Sequence, residues 1–270
     1  MTTEIPNLSE ATEANKAAWN ASAHLHATGA GWEALLQAAS EPGFSTFDTC
    51  LTETLSGLDL KGKRAVQVGC NNGRELLSLA SFGAVPAVGI DQSGAFLAQA
   101  RVLSDAAQIA PDWIEANIYD LPPDIGTFDF VLITIGVLNW MPDLPRFFEI
   151  VAGLMAPGAQ LVIYETHPVL EMFDYEGETP FEPSFNYFQT APLSATETFS
   201  YDGVDHGEGT VSYWYFHSMG EIVTSCVQAG LKIMRLTEHG HSNREPEYDI
   251  YAGRAAQLPM SYTLVVTRDG

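Results

Sequence analysis

Base is scarce in this chain. Only Lys16, Lys61, Lys63 and Lys232 are lysines, and 12 Lys and Arg face 34 Asp and Glu among 270 residues. The formal net charge of −22 reflects this shortage more than an excess of acid. A nucleic-acid partner needs a basic face to release counterions, and none is visible, so no nucleic acid is expected. Anionic membranes are disfavoured for the same reason. No run of about eighteen apolar residues occurs, so no spanning segment is expected. Met1 to Glu10 is polar and acidic, unlike a signal peptide. Cysteine is also rare. Cys50, Cys70 and Cys226 are odd in number and far apart, which favours reduced thiols and a cytoplasmic location over a disulfide frame or zinc site. There is no G-x-S-x-G elbow for a serine hydrolase.

Against these absences stands one dense stretch. Ala65 to Val68 reads as a buried strand and Glu75 to Ser81 as the start of a helix. Gly69, Cys70, Asn71, Asn72 and Gly73 turn the chain between them. Gly69 and Gly73 allow positive φ and close approach of a ligand. Asn71 is the side chain best suited to the left-handed region after glycine. N–H groups at the helix start then face the ligand. Asp91 ends the next strand, Val85 to Ile90, where a carboxylate accepts from both hydroxyls of a ribose. The dinucleotide fingerprint G-x-G-x-x-G would need glycine at 71 and 74. The chain has Asn71 and Arg74. NAD and FAD are therefore disfavoured, and no lysine has a tyrosine four places before it. A smaller ligand without phosphates fits better.

The order of segments resembles the class I S-adenosylmethionine-dependent methyltransferases. Val66 to Gly73 resembles the family's first motif, and Gly89-Ile90-Asp91 the ribose-binding second. Glu115 to Pro122, with Asn117 and Ile118, resembles the loop beside the adenine. Phe128 to Leu138, with Thr134, resembles the fourth strand, and Leu154 to Glu165 the turn and fifth strand. The resemblance implies S-adenosyl-L-methionine as cofactor, held by Gly69, Cys70, Asn71, Asn72, Gly73, Asp91, Gln92, Asn117, Ile118 and Thr134. Three positions depart from the family pattern. Gln67 stands where an acid is usual, Asn71 where glycine is, and Asn117 where Asp often is.

Strands and helices alternate at 65–68, 74–82, 85–90, 93–107, 112–116, 128–134, 143–154 and 159–165. This predicts a Rossmann-like α/β fold. A seven-stranded, mostly parallel sheet should carry helices on both faces and an antiparallel last strand. The strand C-termini share one edge, where ligands bind. Residues 1–60 are expected to form an N-terminal helical cap, with a helix from Ser9 or Thr12 that Gly29 and Gly31 break, and another over Phe44 to Leu58. The core comprises 61–167 and 217–270. Residues 168–216 hold many aromatics and four prolines, and form an expected lid. Its strands are placed at Phe199–Val204 and Thr210–Phe216, with a packing or homodimer surface as the alternative. Ser218 should cap a helix over 219–229, with Glu221 completing the box.

His167 leaves strand five toward the ligand edge and is the expected base or orienting group, since imidazole titrates near neutral pH. Trp19, Asn139, Trp140, Tyr164, Tyr215 and His217 are the expected acceptor-binding residues. No metal set is expected, and His239-Gly240-His241 reads as a surface loop. The expected reaction is methyl transfer to N or O of a small molecule. A protein that binds the adenosyl ligand without turnover is the alternative, and an NAD(P)-linked oxidoreductase ranks behind it.

Overall fold

The computed structural model describes residues 5–200 and 207–269. Seven strands make the main sheet: β1 (Arg64–Val68), β2 (Val85–Asp91), β3 (Asp112–Glu115), β4 (Phe128–Thr134), β5 (Met155–Thr166), β8 (Leu231–His239) and β9 (Ser261–Arg268). Their order is β3-β2-β1-β4-β5-β9-β8. The first five run parallel, and β9 is antiparallel to both β5 and β8. The expected sheet is therefore the one formed.

Strand alternation sends successive side chains to opposite faces. Val131 and Ile133 of β4 join Phe147, Phe148 and Val151 of helix α6 (Leu144–Leu154) and Ile222 of α7 (Met219–Gln228). Phe130 and Leu132 point the other way, toward Leu51 and Leu55 of α3 (Thr49–Ser56) and Leu76 of α4 (Arg74–Ser78). Burial of both faces explains why residues 130–133 of β4 read as an unbroken apolar run. Helix α5 (Gly94–Ala107) lies beside β3, and α2 (Gly29–Ala39) packs Trp32, Leu35 and Leu36 near Leu77 and Leu103.

Several boundaries differ from expectation. The first helix, α1 (Leu8–His26), is capped by Asn7 in a capping box with Glu10, not by Ser9 or Thr12. Gly29 takes φ +74° where α1 and α2 separate, whereas Gly31 lies inside α2. Residues 44–48 are not helical, and Asp48 caps α3 by accepting from Leu51 N–H. Because α3 packs on the sheet, it belongs to the core layer rather than to a cap. In the insertion, β6 (Leu193–Glu197) pairs antiparallel with β7 (Glu208–Trp214). The expected partner strand over 199–204 falls largely on residues outside those described. Ser218 and Glu221 form the expected capping box. Among the described residues, no helix is long and apolar enough to cross a membrane.

Candidate active site

The turn after β1 is built as its residue types require. Gly69, Asn71 and Gly73 have φ of +64°, +49° and +76°. Cys70 N–H donates to the Ile90 carbonyl at 3.0 Å, which ties the turn to β2. Asn71 N–H donates to Asp91 Oδ2 at 2.7 Å, and Ser93 N–H to Asp91 Oδ1 at 2.8 Å. A carboxylate oxygen accepts more than one hydrogen bond, so each keeps capacity for a ligand hydroxyl. Burial pushes the Asp91 carboxyl above its usual range, against these N–H donors.

The glycines serve packing as well as ligand approach. A Cβ on Gly69 would lie 2.7 Å from Val137 Cγ2. A Cβ on Gly73 or Gly89 would overlap the Trp113 ring. Trp113 fills the space both leave, with its Nε1–H donated to Ser104 Oγ at 3.1 Å.

A cavity of about 380 Å³ opens at this edge of the sheet, within the usual range for small-molecule sites. Its wall brings together Gly69, Asn71, Asp91, Gln92, Asn117, Ile118 and Thr134 with Trp19 and Trp140. Gln67 also faces it. Its Nε2 donates to Thr134 Oγ1 at 3.1 Å, and its buried Oε1 has no protein partner. Such an atom costs free energy unless a ligand or water donates to it. With Asp91, it gives the polar end of the cavity the acceptors an adenosyl-amino acid ligand would need. Those residues fit that ligand.

Helix α1 roofs the cavity through specific bonds. Asn117 Nδ2 donates to Thr12 Oγ1 at 2.9 Å, while Asn117 Oδ1 accepts from Tyr119 N–H. Asn117 therefore fastens the roof as well as lining the cavity. Asn20 Oδ1 accepts from Ser93 Oγ and Ala95 N–H. Asn15 pairs with β7 in both directions, donating to the Tyr213 carbonyl and accepting its N–H. These bonds set Trp19 in the wall, with Trp140 at 5.5 Å between ring centroids. Phe199 lies 4.7 Å from Trp19, and Trp214 lies 4.8 Å from Trp140. Among the described residues, none between 168 and 216 lines the cavity; the insertion backs its aromatic wall from outside.

Eight expected site residues lie off that wall, for definite reasons. His167 is 5% exposed. Its Nδ1 accepts from Val169 N–H at 3.1 Å, so the neutral ring carries its proton on Nε2 and donates to Glu238 at 2.8 Å. Both nitrogens are engaged, which corrects its assignment as a base. Tyr164 turns to the α3 face and donates its hydroxyl to Asp48 Oδ2 at 2.6 Å. Asn139 and Tyr215 stitch two loops together, Asn139 Nδ2 donating to the Tyr215 carbonyl and Tyr215 N–H to the Asn139 carbonyl. His217 Nε2 bonds the Met141 carbonyl at 2.8 Å. Cys70, Asn72 and Gly73 shape the turn from behind.

Other wall residues were not anticipated. The loop between β8 and β9 brings Arg244, Glu245 and Pro246 to the cavity, opposite Arg74 and Glu75. Arg74 Nε donates to Glu75 Oε1 at 2.9 Å and Arg244 to the same oxygen at 3.2 Å. Burial pushes the Glu245 carboxyl up, reinforced by Glu247 and Glu165. Scarcity of arginine was the available signal, since few basic side chains exist to be spent away from a site. Glu165, at the end of β5, is not free either. It accepts from the N–H groups of Gly136, Val137 and Leu138, and burial pushes its carboxyl up to about 7.

A family model described as a methyltransferase domain matches residues 66–163. The tRNA U34 carboxymethyltransferase of Idiomarina loihiensis is 32% identical over 111 residues, 39% of this chain and 33% of that protein. A 2-phytyl-1,4-naphtoquinone methyltransferase of Trichormus variabilis is 30% identical over 122 residues, 44% of this chain and 47% of that protein. This chain thus spans less than half the length of these curated relatives. Among solved structures, an S-adenosylmethionine dependent methyltransferase from Mesorhizobium loti aligns with TM-score 0.55 at 18% identity, covering 80% of this chain and 96% of that one.

Proposed function

We propose that this chain is a class I S-adenosylmethionine-dependent methyltransferase, a reading supported by the methyltransferase-domain match over residues 66–163, and that it transfers a methyl group to a nitrogen or oxygen atom of a small, partly apolar acceptor. The observation that supports the acceptor class most is the wall formed by Trp19 and Trp140, beside the polar end of the cavity. Flat aromatic faces favour ring-bearing or cationic acceptors. A net charge of −22 repels polyanions and favours neutral or cationic ones.

When bound, S-adenosylmethionine supplies an electrophilic methyl carbon whose leaving group is a neutral thioether. No acid is then needed at the leaving group, and the protein's work is alignment, exclusion of water and removal of an acceptor proton. Asp91 would hold the ribose, and Gln67 Oε1 an ammonium or water at the amino-acid end. Trp19, on the bonded roof of α1, excludes water. Glu245 replaces His167 as the proposed proton acceptor, because it reaches the cavity and burial, with Glu247 beside it, raises its carboxyl to about 8, which makes its ionised form a stronger base that accumulates as pH rises toward that value.

The test is release of S-adenosylhomocysteine in the presence of phenols, aromatic amines, aliphatic amines and, separately, transfer RNA. Turnover with a small acceptor and none with RNA is the expected outcome. Transfer to RNA alone would overturn the acceptor class. Glu245→Gln should lower kcat while leaving S-adenosylhomocysteine affinity nearly unchanged.

A further inference from the structure

Arg244 borders a second hollow beside the cofactor cavity, and the wall of that hollow carries Asp48, Cys50, His239 and His241. Cys50 lies in the first turn of α3, and His239 closes β8, 189 residues later in the chain. Cys50 Sγ stands 3.3 Å from His239 Nε2. One ligand atom each from Cys50, His239 and His241 lie within 4.8 Å of one another. The two imidazoles stack with centroids 5.1 Å apart.

The tautomer of His241 is also set. Its Nδ1 lies 3.0 Å from the Ser242 carbonyl oxygen, which can only accept, so Nδ1 bears the proton. The lone pair of the neutral ring is then on Nε2. A backbone carbonyl behind the ring in this way is the usual orienting partner of a metal-bound histidine.

We propose that Cys50, His239 and His241 bind a borderline-soft divalent cation, with zinc the best match. One thiolate and two imidazoles suit zinc, whose bonds run about 2.3 Å to sulfur and 2.0–2.1 Å to nitrogen. Tetrahedral bonds of those lengths space the donors roughly 3.3–3.7 Å apart. The Cys50–His239 separation of 3.3 Å sits at the lower end of this range, the ion would replace the 3.2 Å bond between His239 Nε2 and Thr263 Oγ1, and the donor atom of exposed His241 lies within 4.8 Å of both other ligands. Asp48 lies outside this cluster of donor atoms and accepts from Leu51 N–H at 2.8 Å and the Tyr164 hydroxyl at 2.6 Å. Three protein ligands and one water complete the proposed site. Binding releases the Cys50 thiol proton to solvent and converts the sulfur to thiolate. The ion would join α3 to the start of the loop that carries Arg244 and Glu245, and so brace one wall of the cofactor cavity.

The test uses the full chain, stripped with chelator and kept reduced, titrated with cobalt(II) and then displaced with zinc(II). One equivalent of cobalt should produce a thiolate-to-metal charge-transfer band. Cys50→Ser should abolish the band, and His241→Ala should weaken cobalt binding at least tenfold. His241 is exposed, so its variant keeps the test valid should Cys50→Ser fold poorly. Absence of the band in the wild-type chain, or an isotherm unchanged in the His241 variant, overturns the proposal. Binding to surface carboxylates alone would give that second result.

Discussion

Asn71 and Asp91 hold each other across two strands: the Asn71 N–H donates to Asp91 Oδ2 at 2.7 Å. The residue in the left-handed bend of the first turn is thus fixed by the acid that ends the second strand. The pair puts an ionisable acceptor at the floor of the cavity before any ligand arrives, which is the preorganisation that binding rewards.

Asp91→Asn should separate these roles. An amide cannot accept on both sides of the group, and it carries no charge. Affinity for S-adenosylhomocysteine is expected to fall by about 1.5–3 kcal/mol, the range for hydrogen bonds to a charged group. Isothermal calorimetry measures this directly, and an unchanged dissociation constant would remove Asp91 from the ligand site.

Gly89→Ala is expected to destabilise without touching the cavity wall. Gly89 has an ordinary φ, so the obstacles are steric: its Cβ would overlap the Trp113 ring and, less severely, lie 2.9 Å from Cys70 Sγ. Overpacking of this kind costs about 1–3 kcal/mol. Trp113→Leu in the same chain should recover part of the loss. A double-mutant cycle in urea with no coupling between the sites would refute the contact as the cause.

The turn after β1 also shows what a sequence can disclose. Asn71 and Gly73 were legible because positive φ is a local property of residue type. The sheet was legible because strands buried on both faces are apolar throughout. The partners of polar side chains were not. Glu238 lies 71 residues from His167, and Glu75 lies 169 from Arg244. Nothing periodic in the β8–β9 loop announces that it folds back onto the site. His167 had the right type and the right strand end, yet a backbone N–H two residues on and a distant carboxylate consumed both its nitrogens.

His167 should therefore affect stability and its pH dependence rather than turnover. Burial lowers its pKa, with Glu238 opposing, and the Val169 N–H aimed at Nδ1 also disfavours a second proton. The unfolded chain, with an imidazole near 6.5, then binds more protons than the folded one as pH drops. Stability from this group is complete above about pH 6.5 and is lost as pH falls toward the folded pKa. His167→Gln lacks this loss. The gap in urea midpoint between wild type and variant should narrow from pH 7.5 to 5.5, with kcat at pH 7.5 little changed. A gap that widens on acidification would contradict the assignment.

Arg244 combines an ion pair with an unusual backbone, and two substitutions tell them apart. Its φ is +76°, in the region that favours glycine. Its guanidinium donates to Glu75 Oε1 and to the Thr46 carbonyl at 2.8 Å. Burial acts to raise the Glu75 carboxyl, but Arg74 and Arg244 outweigh it and hold the group below its usual range. The Arg244 side chain is 28% exposed, so its loss is expected to cost about 1–3 kcal/mol, less than a fully buried pair. Arg244→Ala bears this loss and keeps a strained Cβ. Arg244→Gly bears it but relieves the strain, worth roughly 1–2 kcal/mol for an L residue held at such φ. The glycine variant should thus melt above the alanine variant, although glycine is normally the more disordering replacement. Equal melting temperatures, or alanine above glycine, would mean that the loop relaxes when its guanidinium lets go of Glu75. The strain would then be a product of that contact, not of the chain's path.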